Sequence, residues 1–134
     1  MPAVLVDSNV ILDVLTDDSE WQDWSAAMLA KCSHQGTLVI NPIIYAEIAA
    51  GFNAVEDLDD AVPPSWLRRD PLPWDAGFLA GQSFTRYRRR GGARRSPLPD
   101  FYIGAHAAVA GLTLLTRDAR RYRTYFPKLK LIAP

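Results

Sequence analysis

Four acidic residues each lie beside an apolar stretch of the sequence, at positions that a fold can bring together. Carboxylates that share one site repel one another, so a cluster of them needs a cation. Hard oxygen ligands suit Mg²⁺ or Mn²⁺ rather than zinc, and such an ion can polarise a phosphoryl oxygen and lower the pKa of a bound water. These residue types therefore predict metal-dependent hydrolysis of a phosphodiester. The four residues are Asp7, Glu47, Asp100 and Asp118.

Each of these acids also has a structural explanation when it is considered alone. A carboxylate such as Glu47 on an apolar helix face is costly unless it is paired, and an arginine can pair with it. Asp100 opens a helical segment, where the helix dipole favours an acid. Asp118 is open to two interpretations, either a metal ligand or a helix cap paired with a neighbouring arginine. The occurrence of all four together is what favours the metal site.

The elements that would position these acids alternate between strands and helices. Short apolar runs predict strands, since buried parallel strands are apolar on both faces. The alternation predicts an α/β fold, a three-layer α/β/α sandwich around a central parallel sheet, formed by one domain over residues 1–134. Sites in such sheets form beyond the carboxyl ends of the strands, which is where Asp7 and Asp118 fall. The predicted strands cover residues 3–6, 37–40, 65–68, 112–115 and 130–132.

Capping residues define the predicted helices more closely. Ser19 and the glutamine three residues later match a capping box, which predicts a helix that starts there and stops at Gly36. Asn41, followed by a proline, predicts the start of the helix that carries Glu47. Further helices are predicted over residues 10–15, 54–62, 76–87, 118–126 and from Asp100 onward.

The composition is that of an ordinary globular protein and excludes several classes. Lys plus Arg number 15 and Asp plus Glu number 15, so the net charge gives no sign of a nucleic-acid partner. The single cysteine, Cys32, cannot form an internal disulfide, and with two histidines it excludes a Cys/His zinc site. No basic region followed by a long apolar stretch opens the sequence, so we expect no signal peptide, and no apolar run approaches the ~20 residues of a membrane span. We therefore expect a cytoplasmic protein without a membrane partner.

The order of the acidic motifs resembles that of the PIN-domain ribonucleases. Residues 7–12, DSNVIL, are similar to the opening Asp-Thr/Ser-Asn-Val motif of that family. Glu47 lies in a mid-chain helix, as the family's Glu does. Residues 100–105, DFYIGA, and residues 114–118, LLTRD, resemble the third and the closing motif. The four motifs span essentially the whole chain, and its single-domain length further resembles the VapC-type toxins of toxin–antitoxin pairs.

The resemblance implies a role for each matched residue. Asp7 and Asp100 would be the principal ligands of Mg²⁺ or Mn²⁺, and Glu47 and Asp118 would complete the acidic pocket through bound water. Asn9 would orient Asp7 or a metal-bound water. In the same way Thr116 would position the carboxylates, Ser8 would keep the polar role of the more frequent threonine, and Tyr122 would fill the place of an aromatic residue common in the family.

The resemblance also implies an activity and partners. The activity is that of a metal-dependent endoribonuclease, in which an activated water attacks phosphorus in line and expels the 3′ oxygen. The family commonly forms homodimers, and a toxin member is neutralised by an antitoxin whose C-terminal segment covers the pocket. The expected partners are thus an RNA substrate, a cognate antitoxin and a second copy of the chain.

An arginine-rich segment precedes Asp100 in the sequence. Arginines neutralise RNA phosphates, and both Arg and Tyr can stack on unpaired bases, so the segment predicts an RNA-binding rim beside the metal site. Two other interpretations are a solvated helix end, where basic residues complement the dipole, and contact with an acidic partner. The predicted RNA-binding residues are Arg86, Arg88, Arg89, Arg90, Arg94, Arg95 and Arg117.

Two other functions compete with the nuclease. A catalytically silent PIN domain would bind RNA or protein, but such domains lose acids, and here all four are present. A phosphotransfer enzyme also uses an Asp after its first strand, but the second Asp that phosphatases of that kind need is replaced here by Asn9. Neither His34 nor His106 is assigned a catalytic role.

Overall fold

A five-stranded parallel sheet forms the centre of the protein in a computed structural model that describes residues 3–94 and 98–134. The strand order is β3-β2-β1-β4-β5, and every neighbouring pair is parallel. Parallel neighbours require crossover connections, and helices supply them. The strands are β1 (Ala3–Val6), β2 (Thr37–Ile40), β3 (Arg68–Arg69), β4 (Thr113–Leu115) and β5 (Leu131–Ile132).

The helices cover the sheet and complete a three-layer α/β/α sandwich, so the predicted fold class is confirmed. None of the helices in the described part of the chain is long and apolar enough to cross a membrane. The helices are α1 (Ser8–Leu15), α2 (Gln22–Gln35), α3 (Pro42–Ala49), α4 (Val55–Ala61), α5 (Trp74–Arg89), α6 (Pro99–Ala110) and α7 (Arg120–Tyr125).

The central strand β1 explains why continuous apolar runs predicted the sheet. Leu5 has Val39 of β2 on one side and Leu114 of β4 on the other, and all three are fully buried. A strand covered by helices on both faces has no polar face, so its sequence does not alternate. Beyond β1 the chain reaches Asp7 at the carboxyl edge of the sheet.

The start of α3 is confirmed, and that of α2 is not. The side chain of Asn41 accepts a hydrogen bond from the backbone N–H of Ile44 over 2.9 Å, as an N-cap should. The predicted capping box at Ser19 is wrong. α2 begins at Gln22, and Asp18 instead accepts from the N–H groups of residues 20 and 21. A carboxylate is a stronger acceptor for such donors than a serine hydroxyl.

Most of the other predicted element boundaries are off by one to three residues, among them those of the third strand and the last helix. The third strand is Arg68–Arg69 rather than residues 65–68, because the backbone N–H groups of Trp66 and Leu67 both donate to Pro63 and form a turn there. The last helix begins at Arg120, so Asp118 precedes it, and Ala119 is in the N-cap position. Of the predicted RNA-binding residues, Arg95 lies outside the described residues.

Candidate functional site

Asp7 is a buried carboxylate at the carboxyl edge of the sheet. Its backbone N–H donates to the carbonyl of Leu115 over 2.9 Å, which anchors it between β1 and β4. Its Oδ1 accepts from the N–H of Ser8 over 2.8 Å and thereby caps α1. Only 4% of the residue is exposed. One side chain therefore ends the first strand, starts the first helix and still presents a second oxygen to the site.

That second oxygen, Oδ2 of Asp7, accepts two hydroxyl hydrogen bonds. Thr116 donates to it over 2.9 Å from the residue that follows β4, and Tyr122 donates over 2.8 Å from α7. Both donors are buried. The carboxylate is thus held by groups that are distant in sequence, and its orientation depends on the assembled sheet edge.

Asp100 lies on the other side of the same tyrosine. The Tyr122 hydroxyl oxygen is 3.4 Å from Oδ1 of Asp100, in the first turn of α6. Arg121 forms an ion pair with Oδ2 of Asp100 at 3.1 Å. Consecutive residues of α7 therefore contact Asp100, and the Tyr122 hydroxyl lies between the two aspartates.

Glu47 reaches the site from α3. Its Oε1 accepts from the Ser8 hydroxyl over 3.0 Å, so Ser8 has the polar role expected of it. Burial raises the pKa of Glu47, and the charge of Asp100 raises it further, while the Ser8 hydrogen bond opposes the shift. The electrostatic effect of Asp100 on Glu47 indicates that these carboxylates share one region.

The pKa of Asp7 is raised from 3.8 to about 6. The main cause is burial, and the charges of Asp100 and Glu47 add to it, while the hydrogen bonds from Tyr122 and Thr116 lower it. Burial and the Asp7 charge raise the pKa of Tyr122 well above its usual 10, so the tyrosine remains a neutral donor. The negative charge at this edge is stabilised by hydroxyl groups but is not neutralised by them.

Asp118 is not drawn into contact with the other acids. Its carboxylate is 3.6 Å from the Arg120 guanidinium and accepts weakly from the Arg120 N–H at 3.4 Å. With Asp100 it lines a pocket of about 570 Å³ at the end of α5 and along α7. Within residues 3–94 and 98–134, no three His, Cys, Asp or Glu side chains are arranged closely enough to hold a metal ion. The carboxylates instead contact hydroxyl groups and arginines.

Asn9 acts on the site through Thr116. Its Nδ2 lies 3.4 Å from the Thr116 hydroxyl oxygen, and its Oδ1 accepts from the Arg117 N–H over 3.2 Å. The Thr116 hydroxyl in turn donates to Asp7 and accepts from the N–H of Asp118. These bonds hold the loop after β4 against α1 and connect Asn9, through Thr116, to the Asp7 carboxylate.

Arg117 forms a bidentate ion pair with Asp13, at 2.9 and 3.0 Å. Asp13 is 2% exposed and also accepts from the hydroxyl of Ser25, while the Arg117 guanidinium lies 5.5 Å from the Trp21 ring centroid. The guanidinium predicted to bind RNA is therefore directed toward α1. Sequence reasoning missed Asp13, although it has the signal that marked Glu47, an acid within an apolar helix.

The other arginines lie at and beyond the end of α5. Arg86 donates to the carbonyl of Tyr125, and Arg88 donates to that of Arg94. Arg90 lies 5.8 Å from the Tyr125 ring centroid and lines the same pocket as Asp100. Arg89 and Arg94 are exposed.

Sequence reasoning did not identify Arg121 as a partner of Asp100, because the phase of α7 cannot be read from six residues without a clear apolar period.

A family model described as the PIN domain matches residues 4–127, so the chain belongs to the PIN domain family. VapBC2 of Rickettsia felis, solved bound to a DNA fragment from its promoter, is similar with a TM-score of 0.72, 20% identity and 98% of each chain covered. VapBC-1 of nontypeable Haemophilus influenzae is similar with a TM-score of 0.73 and 17% identity over 98% of this chain and 97% of that one.

A toxin–antitoxin complex from Klebsiella pneumoniae is also similar, with a TM-score of 0.64 and 17% identity over 96% of this chain and 95% of that one. At these identities the three likenesses establish the shared fold. A comparison with curated proteins finds no match.

Proposed function

We propose that this protein is a Mg²⁺- or Mn²⁺-dependent endoribonuclease and the toxin of a toxin–antitoxin pair. The observation that carries the proposal is the buried Asp7 carboxylate, whose pKa is raised to about 6 beside Asp100 and Glu47. Ionisation of such a group destabilises the fold, and perturbed carboxylates of this kind concentrate at functional sites. Membership of the PIN domain family supports a nuclease.

The proposed metal ligands are Asp7 and Asp100, with Glu47 and Asp118 contributing through water. Their chemistry fits, since all are hard oxygen donors with a mutual repulsion that a divalent cation relieves. When bound, such an ion supplies charge stabilisation at phosphorus and a more acidic water. Thr116 and Tyr122 hold the Asp7 carboxylate in a fixed orientation before any ligand arrives, and the neutral tyrosine adds no charge.

The proposed substrate is single-stranded RNA. Arg88, Arg89, Arg90 and Arg94 lie at or beyond the end of α5, and their charges favour a polyanion. Arg86 donates to the Tyr125 carbonyl and Arg117 pairs with Asp13, so we assign these two residues to holding the fold and not to RNA binding. Arg95 is included on sequence grounds alone.

The proposed protein partners are an antitoxin and a second copy of the chain, in the cytoplasm. The support is similarity of fold to a protein solved in a toxin–antitoxin complex and to two VapBC proteins, one of them bound to promoter DNA. An antitoxin that covers the acidic pocket would be expected to present basic groups to Asp7 and Asp100, because an uncompensated buried carboxylate is costly.

Mapping of RNA ends tests the nuclease directly. Total RNA is incubated with Mg²⁺ and either the wild type or Asp7→Asn, and the new ends are sequenced. We expect discrete cleavage sites that vanish with Asp7→Asn and with EDTA. Asp23→Asn, an exposed acid in the first turn of α2, is the matched control and should cleave normally. Equal cleavage by wild type and Asp7→Asn would refute the proposal.

A second candidate is a catalytically silent PIN domain that binds RNA or protein. Two observations favour it. Arg121 forms an ion pair with the Asp100 carboxylate, and the described residues contain no group of three ligands that could hold a metal ion. A Mn²⁺ titration separates the two functions. Saturable binding that Asp7→Asn removes favours the nuclease, and the absence of binding favours the silent domain.

A further inference from the structure

Arg121 pairs with the Asp100 carboxylate at the wall of an open pocket that both residues line. Its Nη1 is 3.1 Å from Oδ2 of Asp100, and its side chain also lines the pocket of about 570 Å³. The side chains of the pair are 42% and 35% exposed. An ion pair that is open to solvent to this degree is weak and is readily exchanged for other partners.

The pocket has the chemistry of a phosphate-binding subsite. Arg90 and Arg120 line it together with Arg121, and its volume suits a nucleotide. One wall is the bare backbone of Gly91–Gly92. A Cβ at Gly92 would lie 2.2 Å from the Tyr87 ring, so that residue must lack a side chain. The acids of the pocket, Asp100 and Asp118, lie at the side where a metal is proposed.

We propose that Arg121 is an exchangeable counterion that couples metal binding to RNA binding. Without ligands it neutralises Asp100. When a divalent cation takes the Asp100 carboxylate, the guanidinium is released and binds a phosphate of the RNA in the adjacent pocket. This inference rests on the proposed metal site at Asp100. It gives a positioning role to Arg121, which lines the pocket beside that site.

The exchange has a thermodynamic consequence that can be measured without cleavage. Each ligand removes the competing partner of the other, so metal and phosphate must bind with positive coupling, and the coupling must be reciprocal. A variant without the guanidinium has no competitor for the metal at Asp100. Without phosphate, this variant should bind the metal more tightly than wild type does. Added phosphate should not raise its metal affinity further.

The experiment measures Mn²⁺ affinity from the loss of the free-ion electron paramagnetic resonance signal. Wild type, Arg121→Gln and Arg123→Gln are titrated alone, with inorganic phosphate and with a nucleoside 5′-monophosphate, and protein-free titrations correct for Mn²⁺ bound by the added phosphates. Neither probe contains a diester, so cleavage does not interfere. Arg123 is the matched control, an exposed arginine of the same helix that does not line the pocket.

Without phosphate, we expect Arg121→Gln to bind Mn²⁺ about two- to fivefold more tightly than wild type, the range that an exposed ion pair allows. The nucleotide should raise the Mn²⁺ affinity of wild type and of Arg123→Gln by at most the same factor of about two to five, because it removes the same competitor, and leave Arg121→Gln unchanged. A larger effect of the nucleotide than of inorganic phosphate would show that the pocket also contacts the nucleoside, and equal effects would assign the coupling to the phosphate group alone.

Two results overturn the inference and have different meanings. If Arg121→Gln and wild type bind Mn²⁺ with the same affinity and the same coupling, Arg121 is not a counterion, while the metal site stands. If no protein binds Mn²⁺, the proposed metal site fails and the inference fails with it. Melting curves of each variant verify that the substitutions leave the fold intact.

Discussion

Tyr122 donates a hydrogen bond to Oδ2 of Asp7 over 2.8 Å, and the two residues are 115 positions apart. The bond joins the last helix to the end of the first strand in a region where both residues are almost fully buried. Because its pKa lies well above 10, the tyrosine stays protonated and donates throughout the physiological range. Asp7 therefore has a defined orientation before any cation arrives, although its charge remains unfavourable.

Asp7→Asn should change the pH dependence of stability in the absence of metal. The pKa of Asp7 is about 6 in the folded state against 3.8 as the reference, so the folded state binds more protons between these values. The free energy of unfolding therefore falls as pH rises from about 4 to about 6, by at most about 3 kcal/mol. Asn cannot ionise, so the variant should lack this loss.

Urea unfolding at pH 5 and pH 8 in EDTA measures the effect. The free energy of unfolding of Asp7→Asn relative to wild type should rise by about 1 kcal/mol or more between the two pH values. Asn offers one acceptor oxygen where Asp7 accepts from three donors, so the variant loses hydrogen bonds at both pH values, and this loss does not alter the change between them. A difference that is the same at both pH values would contradict the raised pKa.

Tyr122→Phe should weaken both the fold and the site. It leaves the ring in place but removes the donor to Asp7, which costs about 1.5–3 kcal/mol for a buried hydrogen bond to a charged group. RNA cleavage should fall by about tenfold, since the carboxylate is less firmly oriented. Tyr125→Phe is the control, because Tyr125 contributes its ring to Phe101 and Tyr87. Equal effects of the two substitutions would show that the hydroxyl of Tyr122 has no special role.

The parallel sheet was predicted because β1, β2 and β4 are buried on both faces, whereas the order of its strands was not predicted. Their residues, such as Leu5 and Val39, form apolar runs without alternation, which is the pattern of a strand covered on both faces. The exposed strand Arg68–Arg69 has no such pattern, so only its neighbourhood was predicted. That Asp18 rather than Ser19 accepts from the N–H groups just before α2 depends on the loop before the helix, which local sequence does not fix.

The acids of the site were predicted because each interrupts or ends an apolar element. Their present partners were not predictable in the same way. The pairing of Arg121 with Asp100 depends on the phase of a short helix against another element, and the pairing of Arg117 with Asp13 depends on the loop after β4 folding back onto α1. Such contacts join residues that are far apart in sequence, and charge alone allows many alternative pairs.

Mn²⁺ should stabilise the wild type and not the ligand variants. At a free concentration one hundred times the dissociation constant, a bound ion adds about 2.7 kcal/mol to the free energy of unfolding. We expect no such gain for Asp7→Asn or Asp100→Asn, and EDTA should reverse the gain in wild type. Asp118→Asn distinguishes its two interpretations. A metal affinity about tenfold lower indicates a role through water, and an unchanged affinity indicates a structural residue.

Arg117→Ala should destabilise the protein without weakening RNA binding. Removing the guanidinium leaves the buried Asp13 without its cation, which should cost about 2 kcal/mol given that Arg117 is itself 30% exposed. Arg120→Ala, which breaks the exposed 3.6 Å pair with Asp118, should show no measurable change in stability. Fluorescence anisotropy with single-stranded RNA, well below the melting temperature, measures binding. Lower affinity in a folded Arg117→Ala would return Arg117 to the RNA-binding residues.

If the protein forms the proposed homodimer, we expect the second copy to bind on the outer face of α5. Trp74 is 95% exposed and Phe78 is 73% exposed, one turn apart on the same face. An antiparallel pair of α5 helices crossing near Gly81 would place Trp74 of each copy beside the basic last turn of the other. Cation–π contact and the opposite charges of Asp75 and Arg89 would favour that arrangement. A Cβ at Gly81 meets no atom within 4 Å, so the helices can approach closely.

Light scattering should therefore find a dimer for wild type and a monomer for the double variant Trp74→Glu/Phe78→Glu. Val55→Glu, at an exposed apolar residue of α4, is the control and should remain dimeric. Gly81→Cys should form a disulfide between copies on mild oxidation, since residues near a twofold axis meet themselves, while the buried Cys32 stays reduced. A dimer that survives the double variant, or a Gly81→Cys protein that does not cross-link, would place the second copy on another surface, and a monomeric wild type would leave the α5 face to the antitoxin.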